Sequence, residues 1–576
     1  MNSVAPIAKN PAAAVGRHLT NAAIADQLTM LAQLLSSQGE NQYKIRAYRR
    51  AAETVRGMSE SISELVSSGA DVTSYSGIGQ GISAAIREIV AKGSLDRVEK
   101  IRAQIPQELA ALAEYPKLDP KRVLRIYQKL SISSVAELKT SLESGELGKR
   151  CGSRMEQHVR EALGQSAEML LYDAEVAATT IEKFLREKCG VRHVAQAGEL
   201  RRKVEVISVL AFLVQALEFE TVITCFQRFG GGAELLNFKD GIATFRLSTG
   251  AVVTLENGTR EHWGLAMIIA TGASSHLEKL EETGPGLLKL TRSKKVFPTE
   301  ASVYRALSIA YIEPEMREGR DEVDRAKNGE MPRLITAEDI RGELHAHSTS
   351  SDGAHSIEQM VQAAKARSYQ YLGITDHSQS LKIAGGLSQV ELVEQIRAID
   401  KLNERSRSFR ILKSAEVDIL IDGSLDYPDA LLKELDYTIC SIHSKFGLSK
   451  EKQTERVLRA IDNPYFSILG HATGRLLLRR PGYELDLDRI IEHARHAGTF
   501  FEINSSPDRL DLSAENARKV RDAEIRIAIC TDAHSVGELD YIRCGVDQAR
   551  RAGFEPSSVL NCLSWAELSP ILRRNR

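Results

Sequence analysis

The sequence predicts a multidomain protein, with helical domains first, a small α+β domain next and a parallel βα barrel at the carboxyl end. Three observations lead there. The chain has 576 residues, more than a single hydrophobic core organises. Its apolar pattern changes twice, from helical periodicity to short β-rich runs, and then to a regular alternation of strand and helix. Histidine is unevenly spread: of the 14 His, only His18, His158, His193, His262 and His276 precede residue 340.

Composition narrows the function classes. With 76 Lys+Arg against 77 Asp+Glu and a formal net charge of -1, the chain is no polycation, so any nucleic-acid contact must come from local patches. No apolar run approaches the roughly 20 residues of a membrane span. The start MNSVAPIAKNPAAAVGRH lacks the apolar core of a secretory signal, which leads us to expect a cytoplasmic protein with no membrane partner. Seven Cys, scattered from Cys151 to Cys562 with no CxxC pair, fit reduced thiols better than a disulfide framework.

The first hundred residues read as helices. Ala23 to Leu35 is apolar-periodic, and Tyr43 to Val55 carries Lys44, Arg46, Arg49 and Arg50 on a helical period. Between this stretch and a helix over Ser83 to Ala91 stands Gly77-Ile78-Gly79-Gln80-Gly81. A Gly-x-Gly turn lets backbone approach a phosphate closely, with free N–H groups of the second helix aimed at it. The alternative is an ordinary helix-capping turn; the basic neighbours favour a DNA-binding helix-hairpin-helix. Helical sequence continues from Ile105 to Leu163, with turns at Tyr115 to Lys121 and near Cys151-Gly152.

Between Val191 and Leu255 the runs VEVISVLAFLV, ETVITCF and AVVTLEN read as strands, broken by Gly230 to Gly232 and Asn237 to Gly241. Helices resume at Trp263, and Arg317 to Pro332 reads as a charged linker. In the last part, Tyr371 to Ile374, Arg410 to Val417, Tyr437 to Ile442, Phe466 to Leu469, Thr499 to Ile503 and Ile525 to Cys530 are expected strands. Ile357 to Arg367 and Leu487 to Ala497 are expected helices. In barrels built this way the active site forms at the carboxyl ends of the strands.

The chemistry-bearing residues fall at those ends. His345 and His347 share one face of a strand by their period of two. Asp376-His377, Glu416, His443, His471, and Asp532 with His534 each follow an apolar run, and Asp352 sits in a loop of Ser and Gly. Buried imidazoles and carboxylates are costly unless each finds a partner, and a cluster of divalent ions supplies one. Imidazole and carboxylate without Cys suit Zn, Mn or Fe, and the donors outnumber what one tetrahedral ion uses, so two or three ions are expected. His355, His493 and His496 read as surface helix positions with no role.

The series GELHAHSTSSDG, GITDHS, SAEVDIL, CSIHS, LGHATGR and CTDAHS resembles the polymerase and histidinol phosphatase (PHP) domain, a distorted (β/α)7 barrel that hydrolyses phosphoesters at a trinuclear site. The resemblance implies three ligand sets: His345, His347, Glu416 and Asp532 for one ion; Glu416, His443 and His471 for a second; Asp352, His377 and His534 for a third. Glu416, Asp532 and His377 are the expected catalytic residues. Arg475, Arg479 and Arg509 are candidates for binding the flanking phosphates, with solvated surface charge as the alternative.

The amino-terminal part resembles family X DNA polymerases in the bacterial arrangement fused to a PHP domain. The carriers are YKIRAYRRAA, GIGQGI, GELRRKVEVISVLAFL, WGLAMIIATGASSHLEKL and PTEASVYRALSIAYIEPEMREG. This implies a helical lyase-like domain with the hairpin at 1–100, helical fingers at 101–165, an α+β nucleotidyltransferase-like palm at 166–258, a thumb at 259–320, a linker at 321–339 and the PHP barrel at 340–576. Lys44, Arg46, Arg49, Arg50, Gly77, Gly79 and Gly81 would contact DNA.

Departures from the family pattern are equally informative. The paired palm aspartates fall on Val209 and Ala211, the third on about Thr254, and the usual serine beside Gly198 is Glu199. Two-metal nucleotidyl transfer lacks its ligands there, so polymerase activity is not expected. The lyase lysine falls on Gly81 or Ala85, and the second hairpin carries Asp119 in place of glycine. The expected activity is 3'-5' exonuclease or 3'-end trimming on gapped DNA or free ends. The rivals are a small-molecule phosphomonoesterase and a DNA-binding scaffold.

Overall fold

The computed structural model describes residues 19–572 except 20, 38–41, 59, 76, 103–119, 133, 153–154, 157–158, 160–167, 248–249 and 407. The chain forms two compact units. One comprises residues up to 167 together with 175–195 and 214–257; the other comprises 168–174, 196–213 and everything from 258 onward. The expected palm is therefore divided between them.

In the first unit, helices α1 (Asn21–Ser37), α2 (Gln42–Gly57) and α3 (Gln80–Lys92) surround a core of Ile24, Leu28, Leu31, Ile45, Val55, Ile86 and Ile89. Ile24, Leu28, Leu31 and Leu35 recur at the spacing that lines one helix face. Gly77 adopts φ +84 in the turn before α3, and Gly93 ends α3 at φ +83. After the helix Asp96–Arg102, the helices Pro120–Leu130, Val135–Glu143 and Glu146–Cys151 pack around Val123, Ile126, Leu138 and Leu147. Of the second hairpin expected over 116–120, residues 116–119 lie outside the described residues. Strands Glu234–Lys239, Ile242–Arg246 and Val252–Asn257 form an antiparallel meander.

Four expectations change here. ETVITCF is not a strand but part of the helix Phe219–Phe226; Phe219, Val222, Ile223 and Phe226 are buried at helical spacing, a period hidden when the run is read from Glu220. The break at Asn237 to Gly241 narrows to Asp240-Gly241, both at positive φ in the hairpin turn. Cys189 and Cys225 form a disulfide, so the thiols are not all reduced; the five remaining cysteines are free and buried. The expected linker is folded. Helix Glu322–Asn328 runs through it, Arg317 is fully buried against Glu300 at 2.6 Å, and Glu322 is buried against His276 at 2.7 Å. Its charges looked solvated because their partners lie far away in sequence.

The second unit holds the barrel. Its parallel strands are β1 (Gly342–Ala346), β2 (Tyr371–Ile374), β3 (Arg410–Lys413), β4 (Glu416–Asp418), β5 (Ile439–Ser441), β6 (Ile468–Leu469), β7 (Phe500–Asn504) and β8 (Ile527–Cys530). One sheet has the order β3-β2-β1 and the other β4-β5-β6-β7-β8. Only Ser414 and Ala415 separate β3 from β4, so the two are halves of one broken strand and the barrel has seven. Parallel bridges close the ring, Ala346 to Ala533 and His377 to Glu416. Leu344, Tyr371, Tyr437, Ile439, Ile468 and Ala528 fill the interior with Leu568 and Leu572 of the last helix, Trp565–Leu572. That packing closes the barrel at its other end and leaves the carboxyl strand ends for the site.

Candidate metal centre

Each candidate ligand is delivered by the end of a strand or the residues just beyond it. β1 presents His345, with His347 two residues on; both are fully buried. Glu416 opens β4 and is 1% exposed. His471 and Asp532 adopt φ +25 and +53, a strained backbone for non-glycine residues that costs about 1–3 kcal/mol each and aims the side chains inward. Gly353 allows the Asp352 loop to fold back, because a Cβ there would lie 2.7 Å from the backbone of Ser348.

The side chains converge on Glu416. Its Oε2 is 3.4 Å from His345 Nε2, 3.6 Å from His347 Nε2 and 2.9 Å from His377 Nδ1. Its Oε1 is 3.2 Å from His443 Nε2 and 2.8 Å from His471 Nε2. Asp532 Oδ1 lies 3.0 Å from His347 Nε2, and Asp352 Oδ1 lies 3.3 Å from His534 Nε2 and 3.5 Å from His377 Nε2.

Three donor groups emerge among the described residues: His345, His347, Glu416 and Asp532; His347, Asp352, His377 and His534; and His377, Glu416 and His443. The first has the same members as the first expected set. The other two differ: His347 joins Asp352, His377 and His534, and His377 stands with Glu416 and His443 where His471 was expected. His471 contacts Glu416 but belongs to none of the three groups.

The donor atoms suit divalent cations. His345 Nε2, His347 Nδ1, His377 Nδ1 and Glu416 Oε2 are buried without a hydrogen-bond partner, a costly condition that coordination relieves. The outer hydrogen bonds set ring orientation, as metal-binding imidazoles require. His345 Nδ1 lies 2.6 Å from Glu502 Oε1, and His443 Nδ1 lies 3.0 Å from Asp418 Oδ1.

Without cations the cluster is an ionic lattice. Burial opposes charge on His377 and His443, yet Glu416 with Asp352 raises His377 to about 9, and Glu416 with Asp418 raises His443 to about 10. Burial, then the neighbouring His534 and His377, lower His347 to about 4. Burial would raise Glu416, but His443, His377 and His345 hold it well below the carboxylate range.

Several supporting residues were missed by sequence reasoning. Asp376 was noted only as a strand-end neighbour of His377; it accepts from Ser348 N at 2.7 Å, Ser351 Oγ at 2.6 Å and Gln395 Nε2 at 2.6 Å, which anchors the loop before Asp352. Glu343 accepts from His345 N at 2.9 Å and Thr531 N at 3.2 Å, tying β1 to the end of β8; burial outweighs these donors and raises it to about 7. A carboxylate inside an apolar run, as in FFEIN around Glu502, was the available signal. His355 lies ahead of the helix Ile357–Ala366 rather than on it.

The arginine expectations divide. Arg509 Nε lies 3.8 Å from Asp532 Oδ2, at the centre, and Arg479 Nη1 lies 3.4 Å from Asp508 farther out. Arg475 departs from the phosphate-binding expectation: Glu205 takes Nη1 at 3.1 Å and Nη2 at 2.9 Å, and the carbonyl of Arg509 takes Nε at 3.0 Å. Every nitrogen already has an acceptor.

In the amino-terminal hairpin, Lys44 and Arg49 are exposed while Arg46 and Arg50 are half-buried. A Cβ on Gly77 would lie 3.4 Å from Arg50 Cγ, and one on Gly79 or Gly81 would meet nothing within 4 Å. The N-terminus of α3 is capped by no side chain. In the palm segment, Val209 and Ala211 are half-buried on one face of the strand Val209–Gln215, and Thr254 is half-buried on its own strand. Glu199 Oε2 accepts from Ser208 N at 2.7 Å.

Comparison with known proteins fits this layout. Residues 19–95 match the helix-hairpin-helix domain family and residues 343–506 the PHP domain family. The chain is 33% identical over 574 residues, 95% of its length and 98% of the relative's, to the DNA polymerase/3'-5' exonuclease PolX of Bacillus subtilis (strain 168). It is 30% identical over 230 residues to a probable phosphatase of Thermoanaerobacter sp. (strain X514), covering 38% of this chain and 89% of that protein. A probable phosphatase of Syntrophotalea carbinolica is 26% identical over 230 residues, 38% of this chain and 90% of its own.

Proposed function

Because the chain belongs to the family of PolX-type DNA polymerase/3'-5' exonucleases, we propose that it is a metal-dependent phosphoesterase that trims 3' ends of gapped or free-ended DNA, with no polymerase activity. The observation that carries this reading is the convergence of three donor groups at and beside Glu416, with buried ring nitrogens that have no hydrogen-bond partner. Divalent ions held there, of the Mn, Zn or Fe kind, would polarise phosphate oxygens and acidify a water.

The chain's own residues divide the remaining work. Glu416 and Asp532 keep their carboxylates ionised and bring opposite charge to the centre. His377, between Asp352 and Glu416, links two donor groups. Glu502 and Asp418 hold protons at the outer nitrogens of His345 and His443, so the inner nitrogens present lone pairs. Arg509 offers a guanidinium to a phosphate oxygen beside Asp532.

DNA is held by the hairpin module. Exposed Lys44 and Arg49, and the uncapped N-terminus of α3, suit the sugar-phosphate backbone and carry no sequence information. Polymerase loss follows from the palm: Val209, Ala211 and Thr254 offer no carboxylate, and Glu199 places an anion at the strand entrance. The second reading is a small-molecule phosphomonoesterase, favoured by the probable phosphatases whose similarity covers 38% of this chain.

The test uses the full chain with Mn on 3'-labelled gapped DNA and, in parallel, on p-nitrophenyl phosphate. Chelator-sensitive release of nucleotides from the 3' end supports the proposal. Turnover of the small ester alone moves the function to the second reading, and turnover of neither contradicts both.

A further inference from the structure

The segment 199–205, which resembles the start of a polymerase palm strand, is bound into the same unit as the barrel. Arg201 makes a two-pronged pair with Glu300 at 2.7 and 2.6 Å, and Arg202 reaches Glu318 at 3.1 Å and the Thr271 carbonyl at 2.7 Å. Gln548 Nε2 donates to the Lys203 carbonyl at 3.2 Å. At the end of this segment stands Glu205. It pairs with both terminal nitrogens of Arg475, 270 residues away, at 2.9 and 3.1 Å, and it accepts from Ala514 N at 3.3 Å.

Arg475 in turn grips backbone at the mouth of the metal centre. Its Nε donates to the Arg509 carbonyl at 3.0 Å, and its Nη2 donates to the Leu510 carbonyl. Leu510 adopts φ +43, a conformation that external contacts must hold. The Arg509 side chain then lies 3.8 Å from Asp532, which is itself in the first donor group. Four residues thus form one physical chain: a palm carboxylate, a barrel guanidinium, the backbone of residues 509–510 and the guanidinium beside the metal ligand.

A bidentate Arg–carboxylate pair fixes orientation as well as distance, which a single hydrogen bond does not. Without Glu205, Arg475 could keep its carbonyl contacts but would lose the partner that sets its plane. The peptide at 509–510 would then be held less firmly.

We propose that Glu205 is a positioning residue for the hydrolytic centre: through Arg475 it sets the place of Arg509, which receives the substrate phosphate. This rests on the phosphoesterase reading above. It assigns the palm segment a working role after the loss of nucleotidyl transfer, as the brace of an anion-binding arginine in another domain.

The test is a double-mutant cycle on the full chain loaded with Mn, comparing the parent, Glu205→Ala, Arg509→Ala and the double variant. The readouts are melting temperature, metal content, affinity for inorganic phosphate and KM against kcat for 3'-end hydrolysis. We expect Glu205→Ala to keep its metal and melt near the parent while phosphate binding weakens about tenfold and KM rises with it, the fold-change of about one lost hydrogen bond to a charged group. In the Arg509→Ala background the same change should add nothing. Glu205→Gln, which keeps an acceptor oxygen but loses the two-pronged ion pair with Arg475, should fall between the parent and Glu205→Ala.

Full additivity of the two changes, or parent-like phosphate affinity in folded Glu205→Ala, overturns the inference. Because phosphate affinity is read without turnover, a parent that binds phosphate but cleaves no DNA would contradict the phosphoesterase reading and leave this inference to be judged on binding. A parent that binds no phosphate overturns it.

Discussion

Glu416 meets five imidazoles through two oxygens, and that inequality makes its removal more consequential than that of any other ligand. Glu416→Ala should lower bound metal by more than one equivalent, measured by elemental analysis of protein that still melts as the parent. Asp352 enters only one of the three donor groups, so Asp352→Ala should lose about one equivalent and keep the rest. If both variants bind the parent's complement, the donors have been misassigned. A subtler change is Glu502→Gln, which leaves every inner ligand in place but removes the charge facing His345 Nδ1. Metal affinity should fall about 10–100-fold, the usual cost of losing such an outer partner.

Elements carry two further expectations. Glu300 lies between Arg201 and Arg317; burial alone would raise its pKa, but the two guanidinium groups outweigh burial and hold it at about 2. A carboxyl depressed in the folded state stabilises fully above its unfolded value near 4.5, and that stability is lost as pH falls toward 2. The contribution is about 3 kcal/mol at neutral pH. Glu300→Gln should lower the melting temperature at pH 7 and flatten its dependence between pH 4.5 and 2; an unchanged acid profile would contradict the assignment. In the hairpin, Gly79 caps α3 with open space around it. Gly79→Asp should therefore leave the fold intact, since Asp is a good N-cap, while its charge weakens DNA binding alike for all sequences. Parent-like affinity in a salt titration would remove α3 from the contact.

At this scale much was legible. Leu487–Ala497 was readable to the residue because apolar side chains mark one face continuously. The break at Ser414-Ala415 was not, since Arg410 to Val417 reads as one strand and its local pattern does not mark where the strand divides. ETVITCF shows the same limit, because a short apolar run carries no unique period.

Over the whole molecule, the candidate ligands come together because most of them follow a buried strand, and strand ends converge in a barrel whatever their distance in sequence. Contacts between sequence-remote charges could not. Arg475 looked like a phosphate ligand until Glu205, 270 residues earlier, proved to occupy it; Arg317 looked solvated until Glu300 and Tyr311 enclosed it. Composition records such charges but not their partners. The division of labour also belongs here. Primer extension by the full chain on gapped DNA should give no product with Mg or Mn. Restoring Asp at Val209 and Ala211 should not suffice, because Glu199 and Thr254 remain.

The central question is whether the centre around Glu416 hydrolyses DNA ends. The most direct measurement is the time course of nucleotide release from 3'-labelled gapped DNA by chelator-stripped full chain, before and after Mn is restored, beside a Glu416→Ala variant with the parent's melting profile. We expect release only in the restored parent and none from the variant. Equal release by the folded Glu416→Ala protein would contradict the metal-centred mechanism outright.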